Sequence, residues 1–376
     1  MRQNLTRGLA LAVTCGATMP AAIAPAGAQA AAPARAAASA PLTVGFVYVS
    51  PVGDAGWTYQ HDLGRRAMEQ ALGARVRSTV VESVAEGADS ERVIRDLAQQ
   101  GNRLVFATSF GYLEPTLRVA ADFPAVAFEH AGGYKTAPNV GTYNARYYEA
   151  RYLAGMLAGG VSPSGVAGYV AGFPVPEVVQ GLNAFALGMR AVNPKATVKV
   201  IWLNTWFDPA REAEAATVLV NQGADILANH SASPAVAEVA QRYAASKGVR
   251  FLGYQSDMRA YAPDAQLASV TQHWGEFYTA TARAVLEGRW HPAAVWGGLR
   301  DGMVALEAID PKLPAALRAR VEARRQAIVD GSFRPFTSPL VDNRGKVRLA
   351  HGALDDAAIQ HMDWLVEGVV GSIPGS

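Results

Sequence analysis

The stretch LTVGFVYVSPVGDAGWTYQHDLGRR, residues 42–66, contains one complete strand-to-helix unit and sets the pattern for the rest of the chain. Its first eight residues are almost continuously apolar, which is typical of a strand that is covered on both faces. A turn with two glycines follows, and a run with helical character begins near Trp57. The unit therefore predicts a parallel strand followed by a helix that packs on the sheet.

The same unit recurs along the chain. Short apolar runs alternate with longer helical candidates, several of which carry proline near the first turn, where its missing N–H costs nothing. This alternation predicts an α/β fold with doubly wound parallel sheets. The later apolar runs are RLVFATS, AVAFEH, VAGYVAG, VKVIWL, DILANH and VRFLGY, and the helical candidates are residues 58–72, 90–100, 115–122, 176–192, 209–222 and 234–246.

A change in composition near Tyr143 divides these units into two series. A fresh series begins at Val166, and the chain supplies a further helix when the second series is already complete. We therefore expect two lobes with crossing connections, which form a cleft that can close by hinge motion. The expected boundaries are residues 42–143 plus about 272–305 for lobe 1, residues 144–271 for lobe 2, and residues 306–376 for a C-terminal segment without an assigned lobe.

The N-terminal region has the three-part pattern of an export signal. Two arginines precede a short apolar run, and AGAQA offers a small-residue cleavage site after Ala30. Residues 1–30 therefore predict a signal peptide, and the Ala/Pro-rich residues 31–41 predict a tether. We expect a soluble protein in the periplasm. Lipid attachment at Cys15, the single cysteine, is the alternative to simple cleavage.

Composition and motifs exclude several other classes of function. A formal net charge of +2, with basic residues scattered among acids, does not predict a nucleic-acid surface. The chain has no G-x-G-x-x-G, no P-loop, no G-x-S-x-G and no H-E-x-x-H motif, and its seven histidines are spread singly. We therefore expect no enzyme activity, no cofactor and no metal site. A catalytic set assembled from distant residues, as in an exported nucleoside hydrolase, is the alternative.

Polar and aromatic residues collect just after the apolar runs. In open parallel sheets, ligands bind outside the carboxyl ends of the strands. The recurrence over several strands therefore predicts a binding cleft, although polar loops are the ordinary explanation for any one of these positions. The residues placed there are Asp54, Trp57, Ser109, Phe110, Glu129, Trp206, Asn229, His230 and Asp257.

Two tryptophans are the strongest signal among these residues. Trp57 and Trp206 each follow a strand, one in each expected lobe, so their rings could close on opposite faces of a flat ligand. Packing in the core is the alternative for each. The carboxylates of Asp54 and Asp257 suit N–H or hydroxyl donors of a ligand, and Asp54 has the alternative role of capping the helix near Trp57. The set favours a planar heterocycle.

Three long stretches resemble the basic membrane protein family of ABC-transporter substrate-binding proteins, also called the purine nucleoside receptor type. They are VAGYVAGFPVPEVVQGLNAFALGMRAVNP, WFDPAREAEAATVLVNQGADIL and VRFLGYQSDMRAYAPDAQLASV. The resemblance runs from about residue 42 to residue 305. It implies a type I periplasmic-binding-protein fold, two lobes joined by three crossovers, and delivery of a purine nucleoside or related compound to a membrane permease with its ATPase.

The resemblance also assigns site residues. The family's loop motif falls on residues 53–59, so its acid is Asp54 and its stacking ring is Trp57. Its second ring falls on Trp206, and its strand-end acid falls on Asp257. Two positions depart from the family pattern. Thr58 stands where the family has an asparagine, and Gln272 stands where it usually has a lysine.

These departures change the polar end of the implied pocket, so we expect a free purine base as ligand, such as adenine or a xanthine-like compound. We also expect the receptor to be a monomer. Nucleosides remain an alternative. A sugar or small amide is the alternative from another ligand class.

Overall fold

The computed structural model describes residues 40–375, together with residue 12 and residues 14–16. The predicted signal peptide and tether lie outside the described residues, apart from these few N-terminal positions and residues 40–41. Cys15 is described and its side chain is exposed. Within the described part of the chain, none of the helices has the length and apolar character needed to cross a bilayer.

The first series of elements begins with the unit that the opening stretch predicts. β1 is almost wholly buried, and Gly56 precedes α1 with a φ of 95°, a left-handed value that favours glycine. The elements are β1 Leu42–Val47, α1 Trp57–Leu72, β2 Val76–Val81, α2 Ala88–Gln99, β3 Leu104–Ala107, α3 Leu113–Asp122, β4 Ala127–Ala131 and β5 Val140–Ala145. Three of the other strands of this series, β3, β4 and β5, are short and largely buried, as expected for a sheet covered on both faces, whereas the edge strand β2 is mostly partly exposed.

The second series repeats the alternation. Two of its helices begin with proline at the first helical position, as predicted. Asp208 caps one of them by accepting the Arg211 N–H at 3.1 Å. The elements are α4 Tyr147–Val161, β6 Val166–Ala171, α5 Pro176–Val192, β7 Thr197–Trp202, α6 Pro209–Asn221, β8 Ile226–His230, α7 Ala235–Lys247, β9 Arg250–Gln255 and β10 Gln266–Gln272.

The last part of the chain contributes to both sheets and ends in a long C-terminal segment. α8 packs on α1, and α9 packs on α4. A two-stranded hairpin and a short helix follow. The elements are α8 Gly275–Leu286, β11 Ala294–Gly297, β12 Val304–Glu307, α9 Ala315–Asp330, β13 Leu340–Val341, β14 Val347–Leu349, α10 Asp356–Gln360 and β15 Val369–Val370.

The strands form two large sheets, and each sheet is the centre of one lobe. The first sheet has the order β11-β5-β4-β3-β1-β2 and is parallel throughout. The second has the order β12-β10-β9-β8-β6-β7-β15, and β12 is antiparallel to β10. The chain passes between the sheets from β5 to β6, from β10 to β11, and from β11 to β12. These are the three crossovers that the family resemblance implies.

The end of the chain joins the second sheet. β15 pairs with β7 at the sheet edge. β12 pairs with β10, so residues 304 and 305 lie in the second sheet, whereas the approximate boundary drawn from the sequence placed them in lobe 1. The reason is that the chain reverses after β11 and returns alongside β10, which a linear reading of the sequence does not reveal.

Candidate ligand-binding cleft

A cavity lies between the carboxyl ends of the two sheets. Its empty space measures about 430 Å³, a figure that includes open solvent at its mouth. Each lobe supplies one wall of the cavity. The first-lobe wall is Val49, Trp57, Ser109, Phe110, Ala131 and Gly132, and the second-lobe wall is Glu177, Trp206, His230, Ser231, Ala232 and Gln255.

Trp57 is held firmly in the first-lobe wall. Its side chain is only 8% exposed, and its indole N–H donates to the Thr108 carbonyl at 2.7 Å. His61, one turn further along α1, packs against the indole with ring centroids 4.4 Å apart. His61 itself stacks on Trp274. Trp57 therefore belongs both to the core and to the cavity wall. Packing in the core and contact with a ligand are compatible roles for this residue.

Trp206 is held more loosely in the second-lobe wall. It follows β7 in a loop and is half-buried. Its ring lies against Gly172, where an added Cβ would come within 2.7 Å of the indole, and it meets the edge of Phe173 at a centroid distance of 5.0 Å. Its indole nitrogen is buried and makes no hydrogen bond within the described part of the chain. This N–H is a free donor beside the cavity.

Glu177, in the first turn of α5, brings a carboxylate to the cavity. Its Oε2 accepts a hydrogen bond from Asn144 Nδ2 at 2.8 Å, and its Oε1 lies 3.4 Å from His230 Nε2. Tyr254 also contacts His230 Nε2, at 3.2 Å. Burial lowers the pKa of His230, although the contact with Glu177 acts in the opposite direction. His230 is therefore a neutral imidazole at neutral pH, and Glu177 keeps lone pairs for a ligand donor.

Two serines line the cavity from opposite lobes, and a carboxylate holds each of them from behind. Ser109 donates to Glu86 Oε1 at 2.6 Å. Ser231 donates to Glu212 Oε2 at 2.7 Å and accepts a hydrogen bond from Asn229. Because each hydroxyl proton is used in these bonds, the oxygens that face the cavity act as acceptors.

Gln255, at the end of β9, has an unusual backbone conformation. Its φ is 70°, which a residue with a Cβ adopts rarely and at a cost. The side chain is buried, and its Oε1 makes no hydrogen bond to any described residue. A strained residue with an unsatisfied amide oxygen in a cavity wall is typical of a binding site.

The two lobes touch beside the cavity. The Gly56 N–H donates to Ser256 Oγ at 2.7 Å, and the Ser256 hydroxyl donates to the Gly56 carbonyl at 3.1 Å. A Cβ added to Gly56 would lie 2.4 Å from the Ala232 carbonyl oxygen. The close approach of the two lobes therefore depends on a glycine at this position.

Five of the residues predicted from the sequence lie together in the cavity walls: Trp57, Ser109, Phe110, Trp206 and His230. Three others lie in a separate, more open groove between α1, α8 and the end of β10: Asp54, Asp257 and Gln272. The last three are engaged in the protein interior: Thr58, Glu129 and Asn229.

Two predicted acids outside the cavity are held by neighbouring side chains. Asp54 does not cap α1, because Gly56 holds the cap position; its carboxylate accepts a hydrogen bond from Tyr261 of the other lobe. Asp257 is paired with Arg259 and accepts from Gln266 at 2.8 Å.

The four remaining predicted residues have buried side chains, and the side chain of Asn229 donates to Ser231. Thr58 shares a hydrogen bond of 2.7 Å with Ser50. Gln272 is buried, and its side-chain amide has no hydrogen-bond partner among the described residues. Glu129 accepts from the Trp290 indole N–H at 2.9 Å, and burial raises its pKa to about 8.

Sequence reasoning missed Glu177 and Gln255. Glu177 stands six positions beyond the end of β6, in the helix that follows this strand. Its position in the first turn of a helix that starts at a strand's carboxyl end was the available signal, because such turns face the cleft. Gln255 is the last residue of β9, directly before Ser256. No feature of the sequence indicates its left-handed φ.

The described residues contain no cluster of His, Cys, Asp and Glu side chains that could hold a metal ion. Within the described part of the chain, the charged side chains of the cavity walls are limited to Glu177. The cavity is therefore aromatic and neutral to acidic, and its hydrogen-bonding atoms are mostly acceptors.

The chain belongs to the Bmp family, whose model describes PnrA-like ABC-transporter substrate-binding proteins and matches residues 42–330. It is 46% identical over 334 residues to a purine-binding protein of Brucella abortus (strain 2308). This alignment covers 89% of this chain and 94% of that protein. It is 39% identical over 329 residues to a putative ABC-transporter glucose-binding protein of Haloferax volcanii, which covers 88% and 80% respectively.

Solved structures show the same fold at lower identity. A solute-binding protein from Aeropyrum pernix K1 matches with a TM-score of 0.68 at 20% identity, covering 80% of this chain and 94% of that one. A solute-binding protein from Conexibacter woesei matches with a TM-score of 0.63 at 23% identity, covering 78% and 98%. The fold is the type I periplasmic-binding-protein fold, and the protein is a substrate-binding component of an ABC transporter. Proteins of this class act outside the cytoplasm.

Proposed function

We propose that this protein binds a purine between its two lobes and delivers it to an ABC permease. The observation that carries the proposal is the pair of indoles, Trp57 and Trp206, which line one cavity from opposite lobes. Aromatic stacking stabilises a bound base by about 1–3 kcal/mol and needs no particular substituent on the ring. The purine-binding relative from Brucella abortus supports this choice of ligand.

The polar groups of the cavity fit the edge of a heterocycle. Glu177 accepts from a ring N–H or an amino group, and the indole N–H of Trp206 meets a ring nitrogen. Because no lysine or arginine side chain belongs to the described cavity walls, an anionic ligand would face Glu177 without a counter-charge. A neutral base or nucleoside fits better than a nucleotide.

The expected biological setting follows from the class. The predicted signal peptide directs the chain to the periplasm, where it acts as a monomer and the liganded, closed form docks on the permease. Binding energy closes the cleft and breaks no bond of the ligand. A hydrolase would instead release a base from inosine on prolonged incubation, which liquid chromatography detects.

A sugar is the second candidate, because the Haloferax volcanii relative is named as a putative glucose-binding protein and aromatic rings also pack on sugar faces. Isothermal titration of the purified chain with adenine, hypoxanthine, guanosine, ribose and glucose separates the two. We expect the purines to bind and the two sugars to give no heat. Binding of glucose or ribose without any purine would overturn the proposal.

A further inference from the structure

The two cavity serines differ from ordinary serines in the direction of their protons. A hydroxyl can usually rotate and act toward a ligand as donor or acceptor. Here Ser109 is held by Glu86 and Ser231 by Glu212, at 2.6 and 2.7 Å. An ionised carboxylate accepts hydrogen bonds only, so both protons point away from the cavity.

The two carboxylates are themselves fixed. Glu86 Oε1 also accepts the Gly111 N–H at 2.8 Å. Glu212 is fully buried, and its second oxygen, Oε1, accepts the Asp208 N–H at 3.3 Å. Burial raises the pKa of Glu212 to about 7, so this carboxylate is mostly ionised at pH 8. Neither serine can reverse its hydrogen bond without a change in the carboxylate behind it.

Two of the remaining polar groups of the cavity add acceptors, whereas the Trp206 indole N–H is a donor that fits a ring nitrogen. Glu177 brings a carboxylate, and Gln255 brings an amide oxygen without a partner among the described residues. A ligand with N–H donors satisfies these atoms. A ligand carbonyl turned toward them meets lone pairs and leaves buried acceptors unpaired, which costs affinity.

We propose that Glu86 and Glu212 are positioning residues that set ligand specificity: by holding the protons of Ser109 and Ser231 away from the cavity, they make it select 6-aminopurines over 6-oxopurines. The inference rests on the proposed purine-binding function and names the kind of purine. Adenine carries an amino group on carbon 6, whereas hypoxanthine carries a carbonyl oxygen there. The two bases are otherwise similar in size and shape, so hydrogen bonding decides between them.

The test is isothermal titration at pH 8 with two matched ligand pairs. Adenine is compared with hypoxanthine, and 2,6-diaminopurine is compared with guanine, because both pairs exchange the same amino group for a carbonyl. We expect the amino member of each pair to bind at least about tenfold more tightly, which corresponds to the loss of one buried hydrogen bond.

Glu212→Gln tests the positioning role in the second lobe. The Asp208 N–H keeps the amide oxygen at Oε1, so the amide NH₂ faces Ser231 and donates to it. The serine proton is then free to meet a ligand carbonyl. We expect the ratio of adenine to hypoxanthine affinity to fall about three- to tenfold. Glu214→Gln, an exposed change of the same charge on the same helix, is the control and should leave the ratio unchanged.

Glu86 gives an independent test in the first lobe. Because Ser109 and Gly111 share its Oε1, Glu86→Gln can keep both bonds and should retain the wild-type ratio. Glu86→Met has similar length but removes the acceptor, so it releases the Ser109 proton and should lower the ratio. Glu86 is exposed, so this variant does not depend on tolerance of a buried change.

The outcomes separate the two levels of the proposal. Absence of binding by all four bases and by guanosine would contradict the proposed function itself. Hypoxanthine binding as tightly as adenine would overturn the selectivity while leaving purine binding in place. An equal loss of affinity for both members of a pair in Glu212→Gln and Glu86→Met, with unchanged ratios, would show a merely structural role and overturn the positioning role of the two carboxylates.

Discussion

The two walls of the cavity are built in different ways, although each presents one tryptophan. In the first-lobe wall, Trp57 is fixed by a hydrogen bond to Thr108 and by packing against His61. In the second-lobe wall, Trp206 lies in a loop with an indole N–H that has no partner in the described part of the chain. The indole N–H of the first wall is already hydrogen-bonded within the protein, whereas the second wall retains hydrogen-bonding atoms that a ligand can satisfy. We infer that ligand binding orders the second wall more than the first.

The largest effect that tests this comparison is expected from Trp57→Ala. The change removes a buried indole from the core, so the free energy of unfolding of the ligand-free protein should fall by about 3–5 kcal/mol. Purine affinity should fall as well, because a stacking surface is lost. Urea unfolding followed by circular dichroism measures the first effect and titration calorimetry the second. Unchanged stability would show that Trp57 is no part of the core.

Trp206→Ala should have a smaller effect on a different quantity. We expect purine binding to weaken by about 1–3 kcal/mol, because one stacking face is removed. The free energy of unfolding without ligand should change less than for Trp57→Ala, since the ring is half-buried and donates no hydrogen bond within the described residues. Equal losses of apo stability in the two variants would break the comparison between the walls.

The contact between the walls is tested by Gly56→Ala. The new Cβ would meet the Ala232 carbonyl at 2.4 Å across the lobes, so it opposes the closed form in particular. We expect about tenfold weaker purine binding and a larger radius of gyration in small-angle scattering with ligand.

The control for this change is Gly53→Ala, in the same turn. Gly53 also has a left-handed φ, of 57°, but its added Cβ would meet nothing closer than 4.0 Å. Both variants place a Cβ at a positive φ, 95° for Gly56 and 57° for Gly53, but only Gly56→Ala adds the contact across the lobes and should impair closure. Equal affinities would show that the approach of the lobes at this point does not matter for binding.

A separate test, which does not involve the ligand, concerns a buried acid of the first lobe. Burial raises the pKa of Glu129 to about 8 in the folded protein, above the ordinary value of 4.5. The folded state therefore holds a proton that the unfolded state releases, and stability falls as pH rises through this interval, by about 1 kcal/mol per pH unit. Glu129→Gln should flatten this dependence and be more stable than wild type at pH 8. An equal pH dependence in both proteins would contradict the assignment.

The sequence predicted the fold more completely than the site. Apolar runs and prolines report where strands and helices lie, because the pattern is repeated in each unit. It predicted Trp57 and Trp206 from their places after strands. It did not predict that β12 reverses to pair with β10, since pairing partners depend on the path of the chain in space.

Six residues that the sequence placed in the cleft lie outside the cavity walls for a common reason. Proximity to a strand's carboxyl end does not determine the direction of a side chain. Glu129 lies within β4 and points to Trp290, and Asp257 turns toward Arg259 just after β9. Glu177 reaches the cavity from the next helix instead. Alternation along the strand decides the direction of Glu129, and the ion pair with Arg259 decides that of Asp257.

The central claim is that a purine lies between the two tryptophans, and a crystal structure grown with adenine tests it most directly. We expect one adenine in the cavity, with its faces against the rings of Trp57 and Trp206 and an N–H donor on Glu177. Adenine bound in the separate groove beside Asp257 and Gln272, or an empty cavity at saturating adenine, would contradict the claim.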